Sequence, residues 1–299
     1  MPLRWFTRRS GRESRPLAVQ RGRRESGPAR AVMLAGRRHL QGVPYALPKD
    51  LEEVNRLDFQ HYLLRQALRG NYLAPIEAPR AILDVGSGTG CWCRDLAAQF
   101  PAAQVYGVDL EQVKTSGPVP LPYHFLRANV LEGLPFAEGT FDFVHQRLLV
   151  AAIPAANWPG VLAELYRVTR PGGWIELVEC GAEGQNLGPL TQQFFAWGLE
   201  AGQARGLDAR IVPTLGQLLL ATGARNLGMK AIEIPLGEWG GRIGKMMKQD
   251  LLSALAGLKA LYTQRGATDE DFETLLQELP GEWEHFQSTL RFFTFYGQK

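Results

Sequence analysis

Only three cysteines occur in 299 residues, too few for a disulfide framework. Two of them form Cys91-x-Cys93 without the second pair that a four-ligand zinc site needs. No metal site is therefore expected, and a reducing, cytoplasmic setting is the simpler inference. No apolar run approaches the roughly 18 residues of a membrane span, and Arg8-Arg9 lacks the apolar stretch that a twin-arginine export signal would carry. The folded part also lacks an excess of positive charge. Nine arginines against Glu13 and Glu25 sit in residues 1–32, so the formal +3 of the whole chain leaves −4 for the remainder. Such a balance gives no sign of a nucleic-acid partner.

Hydrophobic content of 45% and charge of 21% suit a soluble globular protein. Residues 1–40 are expected to be a disordered basic tail, rich in Arg, Ser, Gly and Pro. The tail is open to several readings: a transit-type segment, an anion-binding arm, a functionless extension, or a true start at Met33. From Pro48 the pattern turns helical, with Asp50 as N-cap, Glu53 three residues on, a stripe through Leu57, His61, Leu64 and Leu68, and closure at Gly70.

The informative stretch is Ile82-Leu83-Asp84-Val85-Gly86-Ser87-Gly88-Thr89-Gly90, an apolar strand that runs into a glycine turn and then a helix over Trp92–Phe100. A dinucleotide fingerprint G-x-G-x-x-G would place a glycine where Cys91 stands. The glycine turn could still be a plain strand-to-helix connection. Its free amides would favour a polar or anionic ligand. A second strand, Gln104–Leu110, ends in Asp109, 19 residues after Gly90, where a carboxylate can accept from ribose hydroxyls. Thr115–Pro122, with three prolines, reads as a loose crossover. A third strand spans 123–128. A fourth over 140–147, apolar on both faces, reads as a central strand of a parallel sheet, and a helix over 155–169 leads through Arg170-Pro171-Gly172-Gly173 to a fifth strand at 174–179.

Asp84-x-Gly86-x-Gly88-x-Gly90, Asp109, Asn129 followed by Leu134-Pro135-Phe136 and Phe141-Asp142, and Arg170-Pro171-Gly172-Gly173 occur in an order that resembles class I S-adenosylmethionine-dependent methyltransferases. The resemblance covers residues 50–180. Asn55-Arg56-Leu57-Asp58 with His61, Gly70–Pro75 and His145-Gln146-Arg147 are similar to the LaeA-like branch of secondary metabolism. It implies a Rossmann-like α/β fold: a seven-stranded, mostly parallel sheet with an antiparallel last strand, helices on both faces, an N-terminal helical lid (41–78), a core (79–236 and 288–299) and a helical insertion (237–287) before the last strand. It also implies S-adenosyl-L-methionine as cofactor, held by Asp84, Gly86, Ser87, Gly88, Gly90, Asp109, Leu110, Asn129, Val130 and Gln146. Asn129 would meet the adenine amino group and the Val130 amide a ring nitrogen.

Strand ends of open α/β sheets gather reactive groups. His145 is therefore expected as general base, with Tyr62, Tyr72, Arg147 and Glu179 toward a small, fairly apolar acceptor. Taken alone, each aromatic is more often core, and a strand-end histidine such as His145 more often a structural hydrogen-bonder. Helices are expected over 188–206 and 215–222, and a sixth strand over 229–236. The insertion carries an apolar stripe from Ile243 to Leu261, with Met246-Met247 either lining a hydrophobic site or packing as core. Thr268 and Asp271 open a second helix that ends near Pro280. The expected activity is methyl transfer to O, N or C by a monomer or homodimer. The alternatives are a non-methylating enzyme using the same cofactor, or a regulatory cofactor-binding partner protein.

Overall fold

The computed structural model describes residues 30–113, 123–263 and 268–299; the expected crossover over 115–122 falls outside them. Seven strands form one sheet: β3 (Ala81–Val85), β4 (Gln104–Asp109), β5 (Tyr123–Arg127), β6 (Phe141–Arg147), β7 (Thr169–Cys180), β8 (Arg225–Pro235) and β9 (Thr289–Gln298). Their order is β5-β4-β3-β6-β7-β9-β8. The first five strands in sequence run parallel, while β9 lies antiparallel to both of its neighbours, β7 and β8. Every residue of β3 and all but the last of β6 are buried, as central strands covered on both faces must be.

Helices supply that cover. α2 (Cys91–Gln99) follows β3, α3 (Trp158–Val168) follows β6, and α4 (Pro189–Gln203) and α5 (Leu215–Ala221) both lie between β7 and β8. Trp158, Leu162 and Leu165 of α3 join Leu83, Val144 and Ile175 of the sheet in one apolar cluster. Trp92 and Leu96 of α2 close the other face against Ile82, Val105 and Phe143. A third cluster belongs to the insertion: α6 (Gly241–Gly257), α7 (Lys259–Thr263) and α8 (Asp269–Phe286) bury Met247, Leu255, Tyr262, Phe272 and Trp283 against Leu63 and Leu64 of α1 (Leu51–Leu68).

Three local expectations change. Residues 31–40, assigned to a disordered tail, form an antiparallel hairpin of β1 (Ala31–Leu34) and β2 (Arg37–Leu40). Its Arg37 reaches the α1 N-cap Asp50 at 2.7 Å, and Arg38 donates to Glu111 at 2.9 Å; these tertiary ion pairs hold a segment whose composition alone offers little to bury. Asp50 caps α1 by accepting from the Glu53 amide. The helix closes at Arg69 in the left-handed region rather than at Gly70. α8 opens with the Thr268–Asp271 capping box but continues through Pro280 to Phe286, because Leu279 and Trp283 on either side of the proline are anchored in the core.

Candidate active site

The sheet order reverses at β3, whose neighbours β4 and β6 carry chains that leave in opposite directions. A crevice opens at such a switch point. Here it is a cavity of about 450 Å3 lined by the glycine loop, the ends of β4 and β6, the segment 40–49, α1 and α6.

Gly86 and Gly88 take φ of +73° and +52°, which glycine adopts without steric cost. A Cβ on Gly86 would lie 2.5 Å from the Leu149 side chain. The loop thus presents bare backbone to the cavity. The Gly88 amide donates to Asp109 at 2.9 Å, and Lys49 stands 3.8 Å from the same carboxylate. Asp84, 4% exposed, accepts from Nδ1 of His145 at 2.8 Å. That bond leaves Nε2 of His145 buried and, among the described residues, without a hydrogen-bond partner. Trp92 stacks on the imidazole, centroids 3.9 Å apart and planes within 5°. Burial holds the His145 pKa below its ordinary value despite Asp84, so the ring is neutral near pH 7.

Two further polar groups face the cavity from α1. His61 donates from Nε2 to Asp95 at 3.0 Å, while Arg147 donates to its Nδ1 at 3.3 Å. Arg56 bridges Glu53 and Asp250, and Gln60 donates to the second Asp250 oxygen at 2.8 Å. This network ties α1 to α6. Beyond it the wall becomes apolar, with Leu148, Leu149, Met247, Leu251, Ala254 and Phe292.

Of the residues singled out from sequence, Asp84, Gly86, Ser87, Gly88, Asp109, Leu110, Asn129, Val130, His145 and Arg147 line this one cavity. Gly90 does not line it; it starts α2 at φ +74°. Tyr62 lies outside, 48% exposed. Tyr72 packs edge-on against Phe143 and accepts from Gln99 at 2.9 Å. Gln146 alternates to the other face of β6 from His145 and Arg147, buried and next to Glu179. Glu179 accepts from the amides of Leu149 and Val150 at 2.9 and 3.1 Å, so it shapes the cavity floor without lining it. Asn129 spends its side chain locally, accepting from the Leu131 amide and donating to Glu132, which leaves backbone at this position for a ligand. Met247 is a buried core residue that also lines the cavity, whereas Met246 is partly buried against the same core and does not line it.

Sequence reasoning missed Arg56, Gln60 and Asp250, whose contacts span up to 194 positions, and the lining from Leu40 to Lys49. Only the i, i+4 spacing of Arg56 and Gln60 could have hinted at a shared polar face.

The cavity's volume is within the range of small-ligand sites, about 300–1,000 Å3. Bare glycine backbone beside Asp84 and Asp109 fits a ligand with an ammonium group and a ribose. Asp84 would hold the ammonium, Asp109 the hydroxyls and the 128–130 backbone an adenine. Comparison with known proteins points the same way. A family model described as "Methyltransferase domain" matches residues 82–173. The protein named "Methyltransferase str3" of Strobilurus tenacellus is 31% identical over 228 residues, 72% of this chain and 81% of its own. The "Secondary metabolism regulator LAE1" of Cochliobolus heterostrophus is 28% identical over 208 residues, 65% and 67% of the two chains. Among solved structures, a "SAM dependent methyltransferase" from Archaeoglobus fulgidus superposes with a TM-score of 0.51 at 14% identity, covering 84% of this chain and 100% of its own, a likeness of fold. With that relationship, the ordered motifs and a crevice of matching chemistry, the chain belongs to the class I S-adenosylmethionine-dependent methyltransferases.

Proposed function

We propose that the protein transfers the methyl group of S-adenosylmethionine to a small, largely apolar acceptor of secondary metabolism. One observation carries this reading: a single cavity joins the glycine-loop half to an apolar lobe built by α6, the 148–153 segment and β9. The bound cofactor supplies an activated methyl and a good leaving group. The chain's task is then to align the acceptor and exclude water. α1 and the 40–49 segment cover the glycine loop, with Leu57 3.8 Å from where a Gly88 Cβ would stand, and the apolar lobe keeps the acceptor end dry.

His145 is buried and committed to Asp84, so we assign it to orienting that carboxylate in place of acting as base on the acceptor. His61, neutral and with both ring nitrogens engaged, keeps its orientation through Asp95. The names of the relatives support the acceptor class: they include a regulator of secondary metabolism and the "N-methyltransferase gliN" of Aspergillus fumigatus. Unpaired cysteines suit the cytoplasm, where we place the reaction.

The test is incubation with methyl-labelled S-adenosylmethionine and organic extracts of a secondary-metabolite-producing fungus. Label should move into the organic phase, and the labelled compound should be heavier than its precursor by one CH2. Binding of S-adenosylhomocysteine without transfer to any extract component would favour a regulatory role.

A further inference from the structure

Arg147 ends β6 on the wall of the cavity. Its guanidinium offers five N–H donors. Among the described residues it makes one side-chain hydrogen bond, to Nδ1 of His61. A cation partly withdrawn from water needs an anion close by. The nearest carboxylates are engaged elsewhere: Asp84 accepts from His145, and Asp95 accepts from both His61 and Arg65. The Asp95–His61 pair does give the guanidinium a brace. With Nε2 donating to Asp95, the imidazole turns its Nδ1 lone pair to Arg147 and fixes one edge of the guanidinium.

The neighbouring strand end shows the complementary chemistry. Asp84 of β3 lies in register with His145 of β6, and Arg147 stands two residues further along the same face. Asp84 lines the cavity, and with one oxygen accepting from His145 its other oxygen takes, among the described residues, a long 3.5 Å contact from the Cys93 thiol, which leaves it open to a ligand cation. Cys91 and Trp92, in the first turn of α2, line the same cavity, so the positive end of that helix adds to the pull on an anion. Acceptors for an ammonium group on one strand end and a cation for a carboxylate on the next complement an α-amino-acid zwitterion.

We propose that Arg147, braced by the Asp95–His61 pair, is the carboxylate-binding residue of this cavity, and that the carboxylate it takes is that of the methionyl end of the cofactor. The inference rests on the cofactor assignment above. His61 and Asp95 are positioning residues, and the ammonium goes to Asp84, which His145 orients through Nδ1.

Isothermal titration of the full chain with three ligands tests it: S-adenosylhomocysteine, its decarboxylated analogue, and 5′-methylthioadenosine, which lacks the amino-acid part. The wild type should prefer S-adenosylhomocysteine over the decarboxylated analogue by about 10- to 100-fold, the range of a charge-assisted hydrogen bond. Arg147→Met should abolish that preference and change methylthioadenosine affinity by less than about twofold. Arg147→Lys should retain part of the preference. His61→Asn should lose part of it with methylthioadenosine binding intact, which a merely structural role would not produce.

The proposal fails if the wild type does not distinguish the first two ligands, if Arg147→Met keeps the distinction, or if it weakens all three equally. An L-phenylalanine titration into protein saturated with S-adenosylhomocysteine covers the other source of such a zwitterion. Binding lost in Arg147→Met would move the arginine to an amino-acid acceptor and overturn its assignment to the cofactor. Should Arg147→Met not fold, the wild-type comparison and Arg147→Lys decide. A wild type that binds none of the three nucleosides would instead overturn the cofactor assignment itself.

Discussion

At the scale of single residues, Asp109 and Arg147 should separate cleanly. Asp109 is tied to the glycine loop through the Gly88 amide, and on the proposed reading it would serve the nucleoside end. Asp109→Ala is expected to weaken S-adenosylhomocysteine and methylthioadenosine together, by about tenfold or more, in the same titrations. Gly86 has a different role. Its φ of +73° and the 2.5 Å approach of Leu149 to a would-be Cβ mean that Gly86→Ala should lower the unfolding free energy by about 1–3 kcal/mol, read from urea denaturation. The thiols are quiet. Burial pushes Cys91 up to about 11 and raises Cys93 and Cys180 as well, and the thiolate is the reactive form. A colorimetric thiol reagent at about pH 8 should react slowly with the native protein and at three sites once it is unfolded. The glycine loop and the two strand-end acids were legible because each depends on neighbours within a few positions. Tyr62 and Tyr72 were not: which helix or loop face meets the cavity is decided by packing partners far along the chain.

At the scale of elements, α1 and α6 together wall one side of the cavity, and their union is polar as well as apolar. Arg56 is 7% exposed and held by two carboxylates, Glu53 on its own helix and Asp250 on α6. Asp250→Ala would leave Arg56 with Glu53 alone and Gln60 without an acceptor. It should destabilise the protein by about 1–3 kcal/mol, seen as a lower urea midpoint. Capping and hydrophobic spacing announced α1 and the start of α8 in advance. The end of α8 and the N-terminal hairpin escaped because tertiary contacts, the Leu279 and Trp283 anchors and the Arg37–Asp50 pair, outweigh the local preference of proline to stop a helix and of a basic segment to stay open.

At the scale of the whole molecule, buried carboxyls couple the fold to pH. Burial pushes Glu179 up to about 8 and Glu176 up to about 7. An acid whose folded pKa exceeds its unfolded value holds a proton in the fold that the unfolded chain has released. Folding then takes up protons, and stability falls as pH rises from the unfolded value toward the folded one. His61 and His145, held below their ordinary value by burial, act in the opposite sense: their contribution rises with pH and levels off above about 6.5. Between about pH 7 and 8.5 the histidines no longer contribute, while the carboxyls still change and the thiols, raised by burial, begin to act in the same sense. The unfolding free energy should decline over that interval, and Glu179→Gln should flatten the decline, measured by urea titration at several pH values.

By itself the sequence determined the sheet-and-helix alternation and the glycine loop with Asp84 and Asp109, which are written in period-two and helical spacing, turn chemistry and short-range motif distances that depend on local sterics and on covering both faces of a sheet. The antiparallel last strand and the methyl donor came from the family resemblance that those motifs carry. Tertiary structure decided which side chains meet at the cavity. It put His145 beneath Asp84, turned Gln146 and Glu179 away, and closed the wall with Arg56, Gln60 and Asp250. It also set His61 and Asp95 behind Arg147. These groups come from strands and helices far apart in the chain. Their meeting depends on strand order and helix docking, which single-sequence periodicity does not encode.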